Sequence, residues 1–356
     1  MKKLFLGMAT VAMLFTACNE DSYELAEEQS KVDMSDFYVY TDASSDEAAR
    51  LAVGSKAKSC YTMVNLNRLL NQNPGLEKRM FDIEYHTRSM IAAKKPDGVG
   101  NGNGNGNGGG DDGGDPGGGD NLGVINIPVY VHVIYSNSQQ NISDSQINSQ
   151  ITVLNDDFRR TNNDANQTPS EFADVAADTE IEFNLAGVFR HSNSTSSWGT
   201  NDAMKAAYPP VTPETHLNIW VCNIGGGILG YAQFPGGSAA TDGIVVSPQY
   251  FGTQGYVSAP FDEGRTATHE VGHYLNLRHI WGDGRCNRDD FVSDTPKSDR
   301  PNYGCPLSAY HCRSNDQFMN YMDYTNDDCM NLYTQGQKVR MRAIFEAGGP
   351  REAMAN

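Results

Sequence analysis

The chain has 356 residues, and 27 Lys and Arg against 44 Asp and Glu leave a formal charge of −17, which argues against nucleic acid as a partner. Hydrophobic residues make up 38% of it, and 14 of its 36 glycines fall between Gly98 and Gly123, so the remainder reads as ordinary globular sequence. The one strongly apolar run outside short strand-like pieces, Leu4 to Phe15, is too short to span a bilayer, which excludes a polytopic membrane protein.

Lys2-Lys3, that apolar run and the small residues Thr16-Ala17 give residues 1–18 the three sections of a secretory signal. The segment ends on Cys18 and resembles the lipobox of bacterial lipoproteins, in which this cysteine is acylated; Phe15 stands where leucine is usual. A plain signal with an incidental cysteine is the alternative. The Asn19-Glu20-Asp21 stretch is similar to signals that send some Gram-negative lipoproteins to the cell exterior. On this reading a lipid anchor makes the membrane a partner, at the outer membrane or cell surface. Either way the protein is exported, and its seven cysteines meet a compartment that permits disulfides.

Residues 19–97 carry helical patterning: Met63, Leu66, Leu69 and Leu70 recur at helical spacing, Pro74-Gly75 interrupts, and Leu76 to Met90 resumes. Residues 98–123 are largely Gly, Asn and Asp with the single proline Pro116, and read as a flexible, protease-accessible linker that adds nothing to a core. Ile125 to Tyr135 is a β-branched and aromatic run suited to a buried strand. Ser143 is placed to cap an amphipathic helix running through Ile147, Ile151, Leu154 and Phe158. Strands are expected at Glu180 to Phe189, His216 to Cys222 and Gly243 to Ser247. The alternation indicates that residues 124–356 form an α/β domain large enough to bury its own core.

The stretch Thr268 to His279 contains His-Glu-x-x-His and a third histidine six residues on. Helix positions four apart share a face, so His269 and His273 can converge on one metal ion, with Glu270 beside that face to reach a metal-associated water. A continuing helix would carry His279 some 15 Å past His269, about ten residues at 1.5 Å each. The helix must therefore stop and turn, and Asn276 is suited to the left-handed conformation that ends helices. Three neutral imidazoles with one open position describe a catalytic zinc, since structural zinc sites are closed by four protein ligands.

This motif resembles that of the metzincin metallopeptidases, with Asn276 where the family has glycine. Asn320-Tyr321-Met322-Asp323-Tyr324 resembles their methionine turn, and Ile127-Pro128-Val129-Tyr130-Val131-His132, Asn155 to Arg160, Leu229 to Pro235 and Gly336 to Met341 resemble the pappalysin branch. The resemblance implies a catalytic domain with a twisted mixed sheet and a zinc-site helix, preceded by a small helical prosegment. It makes Met322, rather than nearby Met319, the methionine beneath the metal, and Tyr324 a phenol that ligates zinc at rest and donates to the oxyanion. Asp327 matches the acidic residue at the base of the S1′ pocket, which implies a preference for Arg or Lys after the scissile bond; a solvated loop carboxylate is the other reading. Asp289 to Pro296 resembles a pappalysin calcium loop using Asp290, Val292 and Thr295, against which stands a simple acidic turn.

Cys286, Cys305, Cys312 and Cys329 allow three pairings, and a second zinc site competes with them. The family pattern suggests Cys286 with Cys312 and Cys305 with Cys329. Cys60, followed by Asn73-Pro74-Gly75-Leu76, looks like a prosegment thiolate that occupies the open zinc position in related proenzymes; a buried free cysteine is the plainer reading. Cys222, in a strand, reads as core. The expectation is an exported zinc endopeptidase acting on proteins or peptides and made as a latent precursor. Its rivals are a non-catalytic, metal-stabilised surface-binding lipoprotein and an exopeptidase, although no group to hold a free terminus is visible.

Overall fold

The computed structural model describes residues 32–43, 60–94 and 120–355. The signal, Cys18 and most of the Gly-rich linker lie outside the described residues. The chain divides into Met1–Asp36 and Phe37–Asn356, and everything that follows belongs to the second unit. Among the described residues no helix is long and apolar enough to cross a membrane.

Two helices come first, α1 (Thr62–Gln72) and α2 (Leu76–Ala93). Gly75, at φ 89°, makes the sharp turn between them. Leu66, Leu69, Leu70, Leu76 and Met80 bury against one another, and among the described residues of the later chain Phe234 joins their cluster. This pair therefore has a small apolar core largely of its own.

The main sheet contains β1 (Ile125–Tyr135), β2 (Ile181–Ser192), β3 (Leu217–Val221), β4 (Gly230–Ala232) and β5 (Ile244–Val246), in the order β2-β1-β3-β5-β4. All neighbours are parallel except β4, which runs antiparallel to β5 and forms an edge. Ile127, Val129, Val131 and Val133 alternate onto one face, where α3 (Asp144–Phe158) and α5 (Arg265–Tyr274) cover them with Ile147, Leu154, Ala267 and Val271. Ser143 Oγ accepts from the Gln146 N–H at 3.2 Å and caps α3 as expected. The opposite face is aromatic, with Trp220 and Tyr231 beside Ile134, Cys222 and the short α4 (Ala203–Ala207).

The strands expected at His216 to Cys222 and Gly243 to Ser247 are each one residue shorter at both ends, and two boundaries differ more. Strand β2 continues to Ser192 because Arg190, His191 and Ser192 still pair with Val133, Ile134 and Tyr135, and the His191 ring stacks on Tyr208. At the end of the linker, Leu122 packs against the main core and Asp120 pairs with Arg342. Residues 120–123 thus contribute to the core that composition alone denied them.

After α5 the chain has little regular structure until α6 (Gln335–Ala343), which opens with a reciprocal Thr334 and Gln337 capping box. The intervening stretch holds two-residue strands, β6 (Tyr303–Gly304), β7 (Tyr310–His311), β8 (Ser314–Asn315) and β9 (Tyr324–Thr325), and a single 3-10 turn at Asp327–Cys329. Disulfides Cys286–Cys312 and Cys305–Cys329 staple it. This is the pairing that the family resemblance implied.

Helix α2 is tied to α6 by a buried ion pair, in which Glu84 accepts from both terminal nitrogens of Arg340. Burial by itself raises the Glu84 carboxyl, but Arg340 and Arg88 outweigh it and bring it down to about 2. A lowered value means the stabilisation is present above about pH 4.5 and is lost as pH falls through about 2. Glu84→Gln should therefore cost the full chain on the order of 3 kcal/mol near pH 7. In urea denaturation the gap between variant and parent should narrow steadily as the buffer is taken from pH 5 toward pH 2.

Candidate metal centre

Helix α5 is buried along its whole length, and its first turn needs partners for backbone N–H groups. Gly264 precedes it and offers no side chain. The Asp327 carboxylate substitutes, with Oδ2 accepting from the N–H groups of Glu263 (3.1 Å) and Arg265 (3.2 Å), where the helix dipole favours negative charge. At the other end Asn276 adopts φ 74°, and the N–H of Leu277 donates to the Gly272 carbonyl at 2.9 Å. The chain reverses there. His279 comes back beside the two helix histidines.

His273 Nε2 lies 3.2 Å from His269 Nε2 and 3.1 Å from His279 Nε2, and all three residues are buried. The opposite ring nitrogens decide what faces what. His269 Nδ1 is 2.7 Å from the Tyr321 carbonyl and His273 Nδ1 is 2.8 Å from the Leu277 carbonyl. A carbonyl only accepts, so each Nδ1 carries the proton and each Nε2 presents a lone pair. His279 Nδ1 sits 2.5 Å from Asp283 Oδ1, which orients the third ring in the same sense. Lone pairs facing one another at this range repel unless a cation sits between them. A tetrahedral zinc with bonds of about 2.05 Å separates its nitrogen ligands by about 3.3 Å, so these residues fit that ion.

A fourth donor completes the group: Cys60 Sγ lies with the three histidine nitrogens, all within 4.8 Å of one another. Burial first and Glu270 second push the Cys60 thiol well up; a bound cation acts in the opposite sense. Cys60 pairs in parallel with Gly230 on the free edge of β4, and the Tyr61 N–H donates to the Gly230 carbonyl at 3.0 Å. Thr62 follows, accepting from the Ala232 N–H and donating to Glu270 Oε2, both at 2.7 Å. Residues 60–62 thus occupy the sheet edge and hold the glutamate at once.

Glu270 is buried beside β4, and the approach requires glycine: a Cβ at Gly230 would lie 3.0 Å from Glu270 Cγ. The same holds beneath the helix, where a Cβ at Gly272 would lie 2.3 Å from Met322 Sδ. Met319 lies elsewhere, in a cluster with Phe172 and Leu332. Tyr324 is buried against the His279 ring, with centroids 4.8 Å apart, and its hydroxyl donates to the Cys60 carbonyl at 3.4 Å. Trp281 stacks flat on His279 at 4.3 Å. Asp327 is fully buried rather than solvated.

Farther off, Thr295 Oγ1 donates to both Asp290 oxygens, at 2.9 and 2.8 Å, and lies 2.8 Å from the Val292 carbonyl. The three oxygen-bearing residues are brought together, apart from the histidines. Thr62, Asp283 and Gly230 were not singled out from sequence. Asp283, one helical turn past His279, carried a weak signal, whereas Thr62 carried none because its partner is 208 residues away.

Comparison with known proteins gives concordant similarities. A family model described as Pregnancy-associated plasma protein-A matches residues 211–346. Extracellular metalloprotease 1 of Coccidioides posadasii (strain C735) is 35% identical over 240 residues, covering 63% of this chain and 79% of that protein. Mature mirolysin of Tannerella forsythia in complex with a cleaved peptide is 47% identical with a TM-score of 0.63, covering 65% of this chain and 95% of that one. A promirolysin variant from the same organism is 39% identical with a TM-score of 0.69, and covers 83% of this chain and 96% of that one. The similarity thus extends into the N-terminal helices when a precursor is compared.

Removing the carboxylate behind His279 should loosen the centre without unfolding the chain. We expect Asp283→Ala to weaken zinc binding 10- to 100-fold in competition with a chromogenic chelator, while far-ultraviolet circular dichroism stays that of the parent.

Proposed function

This chain belongs to the pappalysin family of metalloendopeptidases, and on that footing we propose that it is an exported zinc enzyme that cuts peptide bonds in proteins and is made as a latent precursor. The observation that carries this reading is the meeting of three lone-pair nitrogens with the Tyr324 phenol against His279 and the Glu270 carboxylate beside the edge strand β4. His269, His273 and His279 hold the ion. Zinc supplies Lewis acidity there, polarising a peptide carbonyl and making water a competent nucleophile near neutral pH.

The chain's own groups do the rest. A peptide laid along β4 pairs with the Gly230 carbonyl and the Ala232 N–H, the groups that residues 61 and 62 engage in the precursor. Glu270 accepts the proton of the attacking water at a carboxylate oxygen and returns it to the departing amine. The Tyr324 hydroxyl donates to the oxyanion as it forms. Met322 packs beneath the site, and Asp283 keeps the His279 ring oriented.

In the precursor Cys60 fills the position that substrate and water need, and Thr62 holds the glutamate oxygen. We assign residues 1–18 to an export signal with lipidation at Cys18, 19–97 to the prosegment, 98–123 to the linker whose cleavage starts activation, and 124–356 to the catalytic domain. The similarity to a fungal extracellular metalloprotease supports export. Asp327, buried at the start of α5, supports a preference for Arg or Lys after the cut. Asp290, Val292 and Thr295 offer an all-oxygen set of the kind calcium takes, and we propose that ion there.

Mass spectrometry of the products made from a protein mixture by linker-cleaved enzyme, with and without chelator, tests these points together. Peptide bonds should be cut only without chelator, with Arg and Lys enriched after the cut; an even residue distribution there would remove the role given to Asp327. Glu270→Ala should keep bound zinc and lose at least about 100-fold in hydrolysis. If it loses none, the protein is not the hydrolase described.

A further inference from the structure

The prosegment brings one acidic side chain into a recess that the catalytic domain lines with cations. Phe234, Pro235, Asn276, Arg278 and Arg340 form its catalytic-domain side, and residues of the N-terminal segment, Glu84 among them, form the rest. The carboxylate is 2% exposed, spans both terminal nitrogens of Arg340, and accepts from Arg88 of its own helix at 2.7 Å. Arg278, 3% exposed, donates one nitrogen to the Tyr38 carbonyl, while its Nη1 is buried without a hydrogen-bond partner. Both Arg278 and Arg340 lie over the Phe291 ring, 4.9 and 5.5 Å from its centroid.

The charge balance depends on the prosegment. Among the described residues Glu84 is the carboxylate paired with Arg340. Once residues 37–94 depart, two guanidinium groups on the catalytic domain lose that carboxylate and the Tyr38 carbonyl together. Their departure uncovers both cations, and a carboxylate is the group whose geometry matches a guanidinium fork. The recess also lies on the way out of the active site. The chain of β4 continues through Gln233 into Phe234 and Pro235, and the Phe234 ring is 5.4 Å from that of His273. An extended peptide on the β4 edge, advancing about 3.3 Å per residue past Ala232, arrives over it within two or three residues.

We propose that the Arg278 and Arg340 recess is a substrate subsite for an acidic side chain, filled by Glu84 in the precursor and by an Asp or Glu of the peptide in the activated enzyme. The proposal rests on the endopeptidase reading above. It is tested with full chain activated by cutting the linker and freed of its prosegment, acting on a position-scanned peptide library. Asp and Glu should be enriched at one fixed distance from the scissile bond. A peptide pair differing only by Glu or Gln there should differ about tenfold in kcat/KM, mainly through KM.

In Arg340→Gln the Glu-to-Gln ratio should fall to near one, whatever the variant does to the absolute rate. Should that variant fail to fold, the peptide pair decides alone. Equal kcat/KM for the two peptides, or no enriched acidic position, overturns the subsite while leaving the peptidase reading intact. Hydrolysis of no peptide at all overturns both.

Discussion

Two imidazole nitrogens 3.2 Å apart, each with its proton on the far side of the ring, confront one another with lone pairs inside a buried site. That repulsion is the constraint the surrounding structure serves, because it turns into attraction only around a cation. The Tyr321 and Leu277 carbonyls and the Asp283 carboxylate fix the rings in this sense. Behind the helix, Asp157 accepts from Thr268 and Tyr321, and Tyr333 donates to the Thr268 carbonyl. Burial first pushes the Asp157 carboxyl up to about 6, with Arg265 pulling the other way. The metal centre is thus backed by a polar network rather than by apolar packing alone, and small displacements of α5 carry a high electrostatic cost.

The N-terminal segment engages both the β4 edge and the charged groups beside it. Residues 60–62 satisfy the β4 backbone, hold Glu270 and set a sulfur among the histidines within three consecutive positions. The docking farther along is largely polar, through Arg68 with Asp202, Glu84 with Arg340 and Lys94 with Glu346. Such an interface is specific in register, and it leaves behind a charged, wettable surface rather than a greasy one.

How much of this was legible in the sequence varies with the range of the interaction. The metal helix was readable because helical geometry alone puts His269 and His273 on one face, and the return of His279 followed from the length of a turn. Asn276 in the left-handed region follows from the same reasoning. The Ser143 cap of α3 lies three residues from the Gln146 N–H it accepts from. Other features depend on partners far along the chain. Asp327 caps a helix that begins 62 residues earlier, Thr62 meets Glu270, and Glu84 meets Arg340 across 256 positions; no local pattern announces any of these. Strand β4 has three residues, one of them glycine, too short for any period to show. Leu122 was hidden by its neighbours, since a lone apolar residue at the end of a Gly-rich run looks like part of the run.

The bare side of β4 has an implication for the protein's life before any substrate arrives. An unpaired strand edge is a template on which other chains can polymerise, and natural sheets usually blunt theirs with charge, proline or a covering segment. Here residues 60–62 cover it. The segment that covers this edge therefore also shields copies of the chain from pairing with one another along β4, and aggregation becomes a hazard only where the covering strand is gone.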